Sequence, residues 1–384
     1  MNFKRAAATA GAFLTVTVLA ACTVDGTAIR GPIDLDTGRF STELNAPAGS
    51  ADTENQVSLL KAIRLGEQIV FRDEVDPALT TFGMPTYPLS TSDGLRGVFS
   101  DAKDLPTTSK LLYGFSTAGS ADTDQPDSKG YNHGVFVYPD AATANAAVSE
   151  LSGLLRKPKI GTPAKSTTVA GMPAETVALT QMTAGNKTTA TLTLTPVGGT
   201  VIYTWADAPN AEWTRTAVRV SYEKQKALLA AMPPISDDKQ IDPHGLLRAV
   251  IPASSDSAVR ISGQVVGPRT ISQFSGNSAK AYATFQKAGV TEVAVGGALL
   301  FATGSDKQAA DLAADIAEAS DDSTARKAPS PRDLSTAKCI TSKSGGGSAT
   351  CVIAIGKYVV QVTGDKLLEV QQKTAAEYVL VKKL

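Results

Sequence analysis

GVFVYPDAATANAAVSELSGLL, residues 134–155, changes its period halfway along. Val135-Phe136-Val137-Tyr138 is a short β-branched and aromatic run, which predicts a strand. The alanine-rich stretch 139–155 predicts a helix small enough on its surface to pack closely on a sheet. Strands are then expected at about 174–180, 190–196 and 200–206. Gly198-Gly199 turns the last pair, and a helix is expected over 217–231. Upstream, Thr53-Glu54-Asn55-Gln56 resembles a capping box at the head of a helix over about 54–70. Residues 72–130 carry Pro77, Pro85, Pro88 and Pro106 and show no clear period.

The same order returns downstream. ALLFA (298–302) predicts a strand and SDKQAADLAADIAEAS (305–320) an alanine-rich helix. Strands at 336–342, 349–355 and 357–363 and a helix at 366–381 complete the second set. The expected fold is α+β: two similar halves, each an antiparallel sheet with helices packed on one face. The boundaries read as a leader at 1–21, an extended tether at 22–52, a first domain at 53–232, a Pro/Asp-rich linker at 233–243 and a second domain at 244–384.

The front of the chain sets its place in the cell. Lys4 and Arg5 precede an uncharged run, 6–21, that is short for a membrane span and fits the apolar core of a secretory signal. The run ends Leu19-Ala20-Ala21-Cys22, which resembles a bacterial lipobox, with Cys22 as the lipidated residue. Two acyl chains on that sulfur would hold the chain stably to the extracytoplasmic face of the cell membrane. A plain signal peptide with an incidental cysteine is the alternative.

Two further cysteines, Cys339 and Cys351, flank the turn signal SGGGS at 344–348. A hairpin folded about Gly345 sets them opposite each other, close enough for a disulfide in an oxidising compartment. Closing that loop contributes about 3 kcal/mol in the chain-entropy model.

The 37 basic and 37 acidic residues give no electrostatic footprint for nucleic acid, and none is expected as a partner. Catalysis needs convergent polar groups. GFSTA (114–118) falls one glycine short of a nucleophile elbow, and a loop is expected after Ser116. His133 and His244 are the two histidines; the first reads as a strand-edge residue and the second as part of a turn. Asp122, Asp124 and Asp127 lack the glycine and glutamate of a calcium loop. No catalytic set, metal site or cofactor is expected. Val201, Tyr203 and Trp205 alternate and share one sheet face, as core or as the lining of a pocket.

Several short motifs carry a resemblance: CTVDGTA (22–28), GPIDL (31–35), LDTGRFST (35–42), FVYPDAATA (136–144), VIYTWAD (201–207), IDPHGLLRAVIP (241–252) and FQKAGVTEVAVGG (285–297). They resemble a family of actinobacterial cell-envelope lipoproteins, of unknown function, from mycolic-acid-bearing bacteria. The resemblance implies an anchored envelope protein in two parts and carries over no catalytic residue. The reading is a non-catalytic binding module for an envelope lipid, glycan or protein, with the cleft between the halves as the natural seat. An envelope serine hydrolase using Ser116 or His133, or a purely structural scaffold, are the alternatives.

Overall fold

The computed structural model describes residues 34–384, apart from 101, 122–127, 159–161, 184–187, 254–259, 320–324 and 343–347. The leader, Cys22, the aspartates at 122, 124 and 127 and the tip of the Gly345 turn lie outside the described residues.

The first half begins at α1 (Glu54–Leu65). Its capping box forms as the sequence predicts: Gln56 N donates to Thr53 Oγ1 (3.2 Å), and Gln56 Oε1 accepts from Thr53 N (3.0 Å). A 3-10 turn (Gly66–Gln68), the short α2 (Arg72–Val75) and β1 (Thr81–Leu89) follow. Next come β2 (Tyr113–Ser120), β3 (Gly130–Val137), α3 (Ala141–Arg156), β4 (Lys165–Ser166), β5 (Val177–Met182), β6 (Thr189–Val197), β7 (Thr200–Ala208) and α4 (Ala211–Ala231). The seven strands pair antiparallel in the order β1-β2-β3-β7-β6-β5-β4.

The second half contains β8 (Gln264–Val266), α5 (Pro268–Ser272), α6 (Ser278–Lys287), β9 (Glu292–Val295), β10 (Leu299–Ala302), α7 (Asp306–Ala319), β11 (Arg326–Ala328), β12 (Lys338–Ser342), β13 (Ser348–Ile355), β14 (Tyr358–Gly364) and α8 (Leu367–Val381). Its order is β8-β9-β10-β14-β13-β12-β11, the first sheet's order with every number raised by seven. The α+β class and the two similar halves are therefore as expected, and the repeat extends to edge strands that the sequence pattern does not mark.

Helices cover both faces of each sheet, rather than one. In the first half α3 packs with Leu192, Leu194, Val201 and Tyr203, while α4 packs on Ala206 and α1 on Phe115 and Val135 from the other side. In the second, α8 packs with Cys351, Ile353 and Val362, and α7 with Val352 and Val359. The reason is visible in the strands. β6 is buried at nearly every position and β13 has no exposed one, so neither face is left to water.

Residues 35–52, expected as tether, run extended but docked. Leu35 and Leu44 pack against the second-half core, Asn45 Nδ2 donates to the carbonyls of Leu247 (2.9 Å) and Val250 (2.7 Å), and Ala51 is fully buried. Among the described residues, no helix is long and apolar enough to cross a membrane.

Candidate functional site

The expected cleft between the halves is filled. α1 stands between them, with Ile63 in the second-half core and Leu65 in the first. Beyond it lies a buried polar seam. Arg72 is fully buried and its guanidinium donates to the carbonyls of Gln273, Ser275 and Gly276. Arg269 reaches back, its Nε donating to Ile69 O (3.0 Å) and its Nη2 to Glu74 Oε2 (2.9 Å), with the guanidinium 3.9 Å above the Phe71 ring. Glu67 accepts from the backbone of Arg269 and Thr270, and Asp73 from Ala279 N. The N-terminal segment 63–76 thus belongs to both halves, which is why no cleft opens there.

A cavity of about 750 Å³ lies within the first half, between the α3 face of the sheet and a roof. The register sets its floor in rows. Ser120, Gly130 and Gln181 form the outer row at the strand ends. Ala118, Asn132, Trp205 and Leu192 form the middle row, and Tyr203 lies innermost. The roof is Val98, Phe99 and Ser100 on one side and Leu154, Leu155 and Pro158, at the end of α3, on the other. α3 starts at an Asp140 cap, with Thr143 N donating to Asp140 Oδ1 (2.7 Å) at the far end of the helix from these residues.

Tyr203 is gripped edge-on by Phe99 (centroids 4.6 Å) and stacked with Phe136 (6.0 Å). It is 3% exposed, burial alone raises its pKa, and its hydroxyl has no hydrogen-bond partner among the described residues. Asn132 spends its Nδ2 on Ser116 Oγ and Thr117 O (both 3.0 Å), which leaves Oδ1 free of any donor among the described residues. Among the described residues, no side chain of the lining is charged. Asp207, at the outer end of the floor, is turned to Thr188 Oγ1 (3.2 Å), and burial raises its pKa. The site can therefore enclose an uncharged surface and offer it isolated donors and acceptors.

The structure does not unite Ser116 with His133. The stretch after Ser116, expected as loop, continues β2 to Ser120. Ser116 is fully buried, and its Oγ donates to the His133 carbonyl while accepting from Asn132. The His133 ring points to the opposite face, where it is no strand-edge residue but buried in the middle of β3. Gln225 Oε1 already accepts from Val70 N, so it takes a proton from His133 Nε2 (3.0 Å), and Nδ1 accepts from Thr204 (2.9 Å). Burial holds this neutral ring down to about 4. His244 sits on an exposed turn against Glu292 (2.7 Å). Among the described residues no cluster of three or more metal-ligating side chains occurs.

Cys339 and Cys351 are joined by a disulfide, in the directly opposed register the hairpin requires. Of the alternating row, Val201 is core, whereas Tyr203 and Trp205 reach the cavity. The sequence gives no local sign of Asn132 or of the Phe99 roof. The Leu154-Leu155 pair ending the alanine-rich helix was the available hint.

No curated protein matches this chain. A solved structure, the extracellular domain of PknH from Mycobacterium tuberculosis, matches over 42% of this chain and 93% of its own, at 15% identity and a TM-score of 0.29. The model for the N-terminal part of the domain of unknown function DUF7373 covers residues 48–244, and the model for its C-terminal part covers 246–383. These two matches run through both sheets in tandem, and the chain belongs to the DUF7373 family.

Proposed function

We propose that this chain is a lipid-anchored, extracytoplasmic binding protein whose ligand seat is the neutral cavity of the first half. The observation that carries the reading is that cavity. It is roofed by leucines and a phenylalanine, floored by Trp205 and Tyr203, and holds two polar groups, Asn132 Oδ1 and the Tyr203 hydroxyl, with no hydrogen-bond partner among the described residues. The anchor rests on the Leu19-Ala20-Ala21-Cys22 pattern, and the oxidising compartment on the Cys339–Cys351 disulfide. The hydrolase alternative loses its support, since Ser116 is spent in hydrogen bonds and His133 faces away.

The test is native mass spectrometry on protein purified from its own envelope. The N-terminal peptide should begin at Cys22 and carry a diacylglyceryl mass. A non-covalent small-molecule adduct should be present and be lost from Leu155→Glu, which puts a charge in the roof. A bare Cys22 thiol would sink the anchor, and an adduct-free protein would sink the binding role.

A further inference from the structure

We infer that the cavity takes a neutral lipid, an apolar chain carrying an uncharged, hydroxylated head, with the chain inside and the head at the strand ends. The inference deepens the binding reading above and rests on it. Three observations point the same way. First, polarity is graded along the floor: Ser120 and Gln181 lie in the outer row, and Leu192, Trp205 and Tyr203 lie further in. An amphiphile has the same gradient.

Second, among the described residues the lining has no cation. A phosphate or carboxylate head brought here would lose water with no opposite charge to replace it. A bare sugar fits no better. Its hydroxyls would lie against Val98, Leu154, Leu155 and Leu192, which return no hydrogen bonds. In the inner rows the Asn132 Oδ1 acceptor and the Tyr203 hydroxyl suffice for one ester or hydroxyl group along a chain, and further hydroxyls would find side-chain partners only toward the rim, at Ser100, Ser120, Thr162 and Gln181.

Third, an exposed apolar side chain borders the cavity on its β1 side. Met84, next to Gly83, which pairs with Ala118 of the middle row, is 58% exposed. An exposed thioether at a cavity mouth offers an adaptable contact to an entering hydrocarbon chain.

The two tryptophans make the test direct. Trp205 lines the cavity, whereas Trp213 lies on α4, across the sheet, with its indole N–H bonded to Asp76 (2.7 Å). In the full chain with Cys22→Ala and Trp213→Phe, no acyl chain of its own competes and only Trp205 emits. Three probes are titrated: monooleoylglycerol, oleoyl lysophosphatidylglycerol and maltohexaose. The expected result is a saturable blue shift with monooleoylglycerol, at least tenfold weaker binding of the anionic lipid, and none with the sugar. Gln181→Ala, at a half-buried edge position, should weaken monooleoylglycerol several-fold without changing the thermal midpoint.

Equal binding of the two lipids would overturn the neutral head, and a shift with maltohexaose alone would overturn the chain. Both outcomes leave the cavity as a binding site. Silence of Trp205 toward all three would take the binding reading down with the lipid.

Discussion

The two sheets have one strand order and two different interiors beneath their last helix. Counted from the β6–β7 and β13–β14 turns, Thr191, Thr193 and Thr204 correspond to Ala349, Cys351 and Val362. Counted from the first residues of α4 and α8, Thr214, Ser221 and Gln225 correspond to Val370, Glu377 and Val381. In the first half these positions form a hydrogen-bonded layer. Thr191 meets Thr214 (2.6 Å), Tyr131 meets Ser221 (2.9 Å), and His133 bridges Thr204 and Gln225. In the second half the layer is apolar, and Cys339–Cys351 stands where Ala178 faces Thr193. Topology alone therefore does not choose the chemistry of a core. Here most members of the polar layer are paired, with Thr117 Oγ1 opposite His133 left without a partner, and the apolar layer carries a covalent staple.

The exception in the apolar half is Glu377, the eleventh residue of α8, where α4 has Ser221. It is fully buried, with Oε1 accepting from Ile251 N (2.8 Å) and Oε2 without a partner. Burial pushes its carboxyl up to about 8, against the lowering pull of the Ile251 N–H and Lys373. The two halves thus respond oppositely to pH.

The largest expected effect is at Glu377. Its folded pKa lies above the unfolded value, so stability is lost as pH rises from about 4.5 through about 8. Glu377→Gln keeps the acceptor for Ile251 and should raise unfolding free energy at pH 8.5 by on the order of 4 kcal/mol, with little change at pH 4. Urea denaturation at both pH values decides it, and equal effects at both would remove the buried charge from the account.

His133 has the opposite sign. Its folded pKa of about 4 lies below the unfolded value, so its contribution is present above pH 6.5 and fades as pH falls toward 4. The loss across that window is on the order of 3 kcal/mol, and His133→Gln should flatten that limb of the stability curve. An unchanged acid limb would show that the ring is not held neutral.

Removing the staple with Cys339→Ala/Cys351→Ala should cost about 3 kcal/mol. Hydrogen exchange should rise first in β12 and β13 and hardly at all in β5 and β6. Uniform deprotection would mean the halves do not differ in what holds them.

The smallest effect is a transplant. Thr214→Val alone strands the Thr191 hydroxyl and should cost about 1–2 kcal/mol, whereas Thr191→Ala with Thr214→Val copies Ala349 and Val370 and should cost under about 1 kcal/mol. If the double variant is the worse of the two, the polar layer is not exchangeable for the apolar one.

The sequence determined what depends on neighbours along the chain. The alternation at 200–206, the alanine-rich helices and the turn at Gly198-Gly199 carry their own period, so the repeated order was legible from them. The cysteine register was legible for the same reason, since a hairpin pairs residues by counting from its turn.

Tertiary structure decided the rest. β2, YGFSTAGS, is built of small residues, and β8 has three residues; both become strands through partners distant in the sequence. The cavity draws on positions from Gly83 to Trp205, and the seam joins 63–76 to 267–279. His133 and Ser116 fall on opposite faces because β2 and β3 pair in one register. Burial and facing are properties of the assembled sheet, and no local pattern encodes which space the folded layers will leave open.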